Sequence, residues 1–125
     1  MTSCAAIIVA AGRGARFGGA FPKQYADLGG IPLVRYALTA LVNHTAIGTV
    51  VPVIHPDDNE MFETAAAGLD IAPPVSGGTT RQESVRRGLE ALADNPPATV
   101  LIHDGARPKL GDALIDRVIN ALRQF

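Results

Sequence analysis

Cysteine and long apolar runs are scarce in this sequence. The one cysteine, Cys4, cannot form a disulfide within the chain, and its place in an apolar segment indicates a small buried side chain. No apolar stretch reaches the ~18 residues that a membrane-spanning helix needs. The N-terminus also lacks the basic segment and long apolar run of a signal peptide. We therefore expect no membrane span, and a reducing cytoplasm is the simplest location.

A surplus of charge is missing as well. The formal net charge is −1, so nothing in the overall charge points to a nucleic acid or an anionic membrane as a partner. With 47% hydrophobic and 18% charged residues, the composition is typical of a globular protein. The 125 residues suit a single domain, which we assign to residues 1–125.

Acidic residues are absent before Asp27, and the same part of the chain holds a glycine-rich loop. Residues 10–25 read AAGRGARFGGAFPKQY and follow an apolar run. Glycine lets backbone N–H groups approach an anion closely, because no Cβ stands in the way. Arg13, Arg16 and Lys23 add cations whose contacts to anionic oxygens are charge-assisted. We predict that this loop cradles a triphosphate.

Two better-known glycine loops do not fit these residues. A Walker A loop requires a Gly-Lys pair followed by Ser or Thr, and the sequence has none. The dinucleotide fingerprint G-x-G-x-x-G fits Gly12 and Gly14, but Phe17 stands where the third glycine belongs. No acid lies about 20 residues further on to hold a ribose. A nicotinamide-dependent dehydrogenase is therefore disfavoured. A flexible surface loop with solvated arginines is the simpler alternative, and the arginines, the PKQ and the missing acids together disfavour it.

Strand-like and helical segments alternate along the chain. Apolar and β-branched runs predict four strands, at residues 4–11, 48–55, 71–76 and 99–103. Apolar residues at helical spacing predict a helix after each strand. In the third helix, Thr80 and Glu83 have the spacing of a capping box, and the predicted inward stripe is Val85, Leu89 and Leu92. In the fourth helix it is Leu114, Ile115, Val118, Ile119 and Leu122.

This alternation predicts an α/β fold with a doubly wound, mostly parallel Rossmann-like sheet. In the commonest order of such sheets, the first strand lies between the second and the fourth. Ligands bind outside the carboxyl ends of the strands, at the gap where the chain direction reverses. The glycine loop and residues 103–107 would flank that gap, so we expect the functional site there.

Asp104 ends the fourth predicted strand on this edge. A carboxylate there can hold Mg²⁺, which prefers few protein oxygens together with phosphates, although a strand-end Asp can equally cap a turn. Gly105 leaves room for a ribose. Arg107 can bind a second anion or simply anchor its own loop.

Gly77, Gly78 and Ser84 follow the third predicted strand. The bare backbone of the glycine pair can read the edge of a base, with Ser84 adding a hydrogen bond. The glycines can equally be turn residues, and Ser84 a residue on the helix surface. A hydrolase triad of Ser84, His103 and Asp104 is disfavoured, because successive strand residues point to opposite faces and no G-x-S-x-G elbow is present.

Three motifs carry a resemblance to one family. They are AAGRGARFG with PKQY at 10–25, GGTTRQESVRRGL at 77–89 and HDGARP at 103–108. Together they resemble the 2-C-methyl-D-erythritol 4-phosphate cytidylyltransferases of non-mevalonate isoprenoid biosynthesis, over the whole chain. The resemblance implies a nucleotidyltransferase fold, transfer of CMP from CTP to methylerythritol phosphate with release of pyrophosphate, and Mg²⁺ as the cofactor.

The same resemblance implies roles for single residues. Arg16 and Lys23 resemble the residues that stabilise the transition state, and Asp104 resembles the metal ligand. The residues that resemble nucleotide contacts are Ala10, Ala11, Gly12, Gly14, Gly78, Thr79, Ser84 and Gly105. Arg107 is assigned to substrate binding. Family members often carry an acid where Thr79 stands, so this position departs from the pattern.

Length is the larger departure. Members of the family continue through further strands, a dimerising β-arm and basic residues that bind the acceptor, and some fuse a cyclodiphosphate synthase domain. We therefore expect a fold incomplete at the C-terminus, an exposed apolar edge beside the fourth strand, and little turnover by this piece alone. The alternatives are a cytidylyltransferase for another polyol phosphate, such as ribitol 5-phosphate, and a non-catalytic nucleotide-binding module.

The two predicted catalytic cations can be tested by truncation. In-line phosphoryl chemistry needs no covalent enzyme intermediate, so position and positive charge carry the rate. In the intact enzyme, Arg16→Ala or Lys23→Ala is expected to lower kcat roughly 10²- to 10³-fold without unfolding the protein. Steady-state pyrophosphate release and thermal melting measure the two effects, and near-normal turnover in either variant contradicts that residue's role.

Overall fold

A four-stranded parallel sheet forms the centre of the computed structural model, which describes residues 4–12, 22–106 and 112–123. In chain order the strands are β1 (Cys4–Ala10), β2 (Asp27–Leu28), β3 (Ile31–Pro32), β4 (Thr49–Ile54), β5 (Val75–Ser76) and β6 (Thr99–Asp104). The helices are α1 (Leu33–Asn43), α2 (Asn59–Ala65), α3 (Arg81–Ala91) and α4 (Asp112–Arg123). The main sheet has the order β5-β4-β1-β6. The predicted fold class and the central place of the first strand are confirmed.

Strand β1 lies in the middle of the core. All of its residues except Val9 are buried, as expected for a parallel strand that is covered on both faces. Helix α1 covers one face with buried residues that include Val34, Leu38 and Leu41. Helix α3 packs against the other face, beside Ile7.

Helix α3 approaches the sheet through two small residues. Ser84 and Gly88 are its buried residues. A Cβ on Gly88 would lie 2.9 Å from Ile7 Cγ2 and 3.1 Å from Val53 Cγ2, so a side chain there would push the helix away. The predicted inward stripe is wrong at Leu89, which is 43% exposed. Close backbone approach, rather than the apolar stripe, therefore sets which face of α3 meets the sheet.

The segment between the glycine loop and the first helix differs from the prediction. Instead of a simple turn, β2 and β3 pair as a short antiparallel hairpin. Gly29 and Gly30 connect these strands with φ values of 65° and 85°, which glycine adopts without strain. The predicted third strand is also shorter than expected, since only Val75 and Ser76 pair with β4. The prolines at 73 and 74 cannot donate hydrogen bonds to a neighbouring strand.

Strand β6 forms one edge of the main sheet in the described part of the chain, and this edge is apolar. Ile102 is 42% exposed, and helix α4 beside it exposes Leu114 and Val118 while burying Ile115 and Ile119. The exposed apolar edge is confirmed, but the predicted inward face of α4 is wrong at Leu114 and Val118. Within the described ranges, no helix combines the length and apolar character needed to cross a bilayer.

Arg35 connects α1 to the end of α2 and provides a test of this packing. Its Nη1 donates to the carbonyl oxygens of Ala65 and Ala67, each at 2.9 Å, where carbonyls at a helix end lack intrahelical partners. We expect Arg35→Met to lower the free energy of unfolding by about 1–2 kcal/mol, measured by urea denaturation. Arg86→Met is the matched control, because Arg86 makes an exposed pair with Glu90 worth less than about 0.5 kcal/mol. Equal losses in the two variants would contradict the capping role.

Candidate functional site

The carboxyl ends of the main strands meet at one edge of the sheet. The register pairs Val9 with Val53 on one side and with Asp104 on the other, and pairs Ile54 with Ser76. Because all these strands are parallel, the segments that follow them emerge along the same edge. Three segments are therefore neighbours, as the sequence predicted: the end of β1, the loop before α3 and the end of β6.

A cavity of about 590 Å³ opens at this edge. Its lining comes from the end of β1, the segment after β4, and the loop and first turns of α3. The lining residues are Ala11, Gly12, His55, Pro56, Gly77, Gly78, Thr79, Thr80, Arg81, Glu83, Ser84 and Arg87. The cavity thus brings together residues from the first two sequence motifs, which lie far apart in the chain.

Close packing requires glycine at the first position of the pair that follows β5. The Gly77 N–H donates to the Ile54 carbonyl at 2.7 Å, which draws the loop toward the sheet. A Cβ on Gly77 would collide with the Ala11 Cβ and would lie 2.8 Å from Ser84 Oγ. A Cβ on Gly78 would collide with the side chain of Glu83. The loop therefore rests directly on the backbone that leaves β1.

Ser84 is a buried residue on the first turn of α3. It is 2% exposed, and its Oγ accepts a hydrogen bond from the Gly78 N–H at 3.1 Å. The alternative of a serine on the helix surface is therefore wrong. The Ser84 hydroxyl keeps its own proton for donation, because a hydroxyl accepts and donates at once. Thr80 caps this helix as predicted, accepting from the Glu83 N–H at 3.1 Å.

A pair of side chains that the sequence did not single out holds the loop in place at the wall of the cavity. Arg87 Nη1 donates to the carbonyl oxygens of Ser76 and Gly77, each at 3.3 Å, and its Nη2 lies 2.9 Å from Glu83 Oε1. Thr79 Oγ1 donates to Glu83 Oε2 at 3.4 Å. The signal in the sequence was the acid–base pair four residues apart in the first turns of a helix that follows a glycine loop. We call Glu83 and Arg87 the loop buttress.

Lys23 lies on a 3₁₀ turn (Lys23–Tyr25) beside the same edge. Lys23 is an exposed residue between the buried residues Pro22 and Gln24. The Gln24 Nε2 donates to the Ala10 carbonyl at 2.7 Å and to the Gly12 carbonyl at 3.0 Å. The turn that carries Lys23 is therefore attached to the backbone where the glycine loop begins. The sequence placed Gln24 in the PKQY motif but did not indicate its role, because its hydrogen-bond acceptors are backbone carbonyls.

Asp104 and Gly105 complete the edge. Asp104 is exposed, and its Oδ1 accepts from the Ala106 N–H at 3.0 Å, so the carboxylate does cap a turn. The Gly105 N–H donates to the Val9 carbonyl at 3.0 Å. A Cβ on Gly105 would lie 3.1 Å from the Ala10 Cβ, so the space beside this glycine is filled by the core. Any contact from Gly105 to a ribose would have to come from its backbone.

Other predicted residues cannot be placed in this geometry. Gly14, Arg16 and Arg107 lie outside the described residues, and their roles stay predictions. Among the residues that the structure describes, no group of three or more His, Cys, Asp or Glu side chains is arranged to hold a metal ion.

Comparisons with known proteins match nearly the whole chain. The bifunctional enzyme IspD/IspF of Paramagnetospirillum magneticum is 53% identical over 122 residues, which are 98% of this chain and 32% of that protein. The chain thus spans about a third of the length of this curated relative.

Solved structures match the fold as well. The crystal structure of 4-diphosphocytidyl-2C-methyl-D-erythritol synthase from Anaerococcus prevotii has a TM-score of 0.81 and 32% identity, covering 98% of this chain and 52% of that one. Bifunctional IspDF from Campylobacter jejuni has a TM-score of 0.78 and 27% identity, covering 98% and 31% of the two chains. A family sequence profile described as IspD, 2-C-methyl-D-erythritol 4-phosphate cytidylyltransferase, matches residues 4–125. With its mostly parallel α/β nucleotidyltransferase fold, the chain belongs to the 2-C-methyl-D-erythritol 4-phosphate cytidylyltransferase family.

Proposed function

We propose that this chain forms the nucleotide-binding part of an enzyme that transfers CMP from CTP to 2-C-methyl-D-erythritol 4-phosphate and releases pyrophosphate. The observation that carries the proposal is the cavity where Ala11, Gly12 and the Gly77–Gly78 loop meet beside the buried Ser84. Small residues there expose backbone groups, which suit a base and the start of a polyphosphate. The family match over residues 4–125 supports these two substrates.

The hydrogen bonds already present restrict how the cavity can hold a cytosine. Cytosine offers an amine that donates and two ring-edge atoms that accept. Because the Gly78 N–H donates to Ser84 Oγ, we expect Gly78 to meet the base through its carbonyl group. The Ser84 hydroxyl proton is then the donor to an acceptor atom of the base. Thr79, which lines the same cavity, is the neighbouring contact at this position.

The chemistry proposed for the edge is an in-line displacement at the α-phosphorus of CTP. A phosphate oxygen of the acceptor forms the new P–O bond while the bond to the β-phosphate breaks, and the electron pair leaves with pyrophosphate. The transition state carries negative charge on the phosphoryl oxygens, so cations held nearby stabilise it. Lys23 stands on the turn attached to the start of the glycine loop, which supports this role. Arg16 is proposed as its partner.

Asp104 fits a Mg²⁺ site that is shared with phosphates. Its carboxylate is exposed at the carboxyl end of β6, and the Ala106 N–H fixes one of its oxygens. Mg²⁺ commonly takes one or two carboxylates plus substrate phosphates and water, which a single Asp at this edge can satisfy. When bound, the ion would neutralise charge on the triphosphate. Arg107 is proposed to bind substrate, and a homodimer and a cytoplasmic location stay predictions.

Acceptor preference tests the proposed function. In the intact protein with CTP and Mg²⁺, we expect pyrophosphate release to be faster with 2-C-methyl-D-erythritol 4-phosphate than with ribitol 5-phosphate. Calorimetric titration with CTP should show binding in the absence of either acceptor. Turnover with ribitol 5-phosphate but not with 2-C-methyl-D-erythritol 4-phosphate would contradict the proposed acceptor. CTP binding without turnover on any polyol phosphate would indicate a non-catalytic module.

The loop buttress gives a prediction about nucleotide affinity. Arg87→Met removes both hydrogen bonds to the carbonyls of Ser76 and Gly77, so the glycine loop loses a fixed position beside the base. We expect the Kd for Mg-CTP to rise about 10-fold. A larger rise is not expected, because the Arg87 side chain is 40% exposed and solvent screens its interactions. Calorimetry on the intact protein measures it.

Arg86→Met is the control for this effect. Arg86 is the adjacent arginine, its side chain is 67% exposed, and it pairs with Glu90 on the outer face of α3. We expect its Kd to stay within about twofold of the wild-type value. Equal Kd values for the two variants would show that Arg87 does not support the nucleotide site.

A further inference from the structure

We propose that Gln24 is a positioning residue, whose side-chain amide holds the backbone at the start of the phosphate loop in the orientation that binds the nucleotide. The inference rests on the proposed function, because it concerns the same CTP site. Gln24 is 5% exposed and is the middle residue of the 3₁₀ turn that carries Lys23. In the described part of the chain its hydrogen bonds to the loop go to backbone atoms, so the effect proposed for it on the reaction is indirect.

Both hydrogens of the Gln24 amide are used on main-chain carbonyls. Nε2 donates to the Ala10 oxygen at 2.7 Å and to the Gly12 oxygen at 3.0 Å. These two acceptors flank Ala11, which lines the cavity. The two carbonyl oxygens also identify which atom of the Gln24 amide faces them. It is the nitrogen, because the amide oxygen would be repelled by both carbonyls.

The paired part of β1 ends at Ala10, which lies opposite Ile54 of β4, and the loop continues beyond it. Ala10 is the last residue of β1, and Gly12 is exposed. A Cβ on Gly12 would meet no atom of the described residues within 4 Å, so open space lies beside this residue. The bond from Gln24 is a contact that reaches Gly12 from a turn twelve residues further along the chain.

Holding the carbonyls also controls the electrostatics of the loop. A carbonyl oxygen carries the negative end of the peptide dipole and repels a phosphate. In a trans peptide the N–H points away from the preceding C=O, so a carbonyl of Ala10 that faces Gln24 turns the Ala11 N–H to the opposite side. Gln24 therefore binds the two carbonyl oxygens that would repel an anion, those of Ala10 and Gly12. It also fixes the direction of the Ala11 N–H, which can donate to an anion.

The same amide connects the loop to the Lys23 turn. Tyr25, the next residue, is 4% exposed and belongs to the main core cluster. The turn is thus anchored in the core by Tyr25 and joined to the loop by Gln24. A fixed distance between the Lys23 backbone and the loop backbone follows from these two attachments.

Two substitutions separate hydrogen bonding from side-chain volume. Gln24→Met keeps a similar length but cannot donate. Gln24→Glu places an acceptor-only carboxylate against two carbonyls, whereas its protonated form can donate one bond. Burial raises the pKa of a carboxyl group, so the protonated form should be reached by mild acidification. Gln82→Met and Gln82→Glu are matched controls, because Gln82 is exposed on α3 and does not line the cavity.

The experiment is calorimetric titration of the intact protein and its variants with Mg-CTP at several values between about pH 5.5 and 8, with each Kd divided by the wild-type Kd at the same pH. For Gln24→Met we expect Kd to rise roughly 10- to 100-fold at every pH. For Gln24→Glu we expect a larger rise at high pH that recovers as the pH falls. Both Gln82 variants should stay within about twofold. Recovery on acidification distinguishes a lost donor from general loss of structure.

A measurement on the wild-type protein covers the case in which both Gln24 variants fail to fold. The side-chain amide protons of Gln24 should exchange slowly with solvent, and their NMR resonances should shift when Mg-CTP is added. Fast exchange with no shift overturns the positioning role, as does a Gln24→Met variant that binds Mg-CTP as well as wild type does. A wild-type protein that does not bind Mg-CTP overturns the proposed function, and this inference with it.

Discussion

The close contact of three chain segments at the carboxyl edge of the sheet is the constraint on which the site depends. The loop after β5 rests on the end of β1, where a Cβ on Gly77 would collide with Ala11. The chain that leaves β6 packs against the same strand from the other side, where a Cβ on Gly105 would lie 3.1 Å from the Ala10 Cβ. Because the backbones are this close, groups that are far apart in sequence can face one bound nucleotide. Close packing alone therefore accounts for glycine at position 77 and restricts a side chain at position 105.

Hydrogen bonds to main-chain carbonyls hold this edge in shape. Gln24 binds the carbonyls of Ala10 and Gly12, and Arg87 binds those of Ser76 and Gly77. Arg87 lines the cavity beside Ala11, Gly12 and the Gly77–Gly78 loop, whereas Gln24 does not line it. Such a surface suits a nucleotide, which needs donors at defined positions more than it needs apolar area. The cations predicted from the sequence would then act on phosphates whose position is already fixed.

The sequence predicted the parts of this structure that repeat locally. Alternating strands and helices, the central place of β1 and the Thr80 cap follow from periodicity and capping rules. It missed what depends on distances between segments. Leu89 belongs to an apolar helical stripe, yet Ser84 and Gly88 let α3 approach the sheet and leave Leu89 exposed. Gln24 and Arg87 lie within the quoted motifs, but the sequence did not give their roles, because their partners are backbone carbonyls that only the fold brings near.

A crystal structure of the intact protein with CTP and Mg²⁺ tests the location of the site most directly. A nucleotide site at this edge requires the base within hydrogen-bond distance of Ser84 Oγ, about 2.7–3.2 Å, and the metal ion on the Asp104 carboxylate. A nucleotide bound away from the Gly77–Gly78 loop, or a metal ion held by other residues, would contradict it.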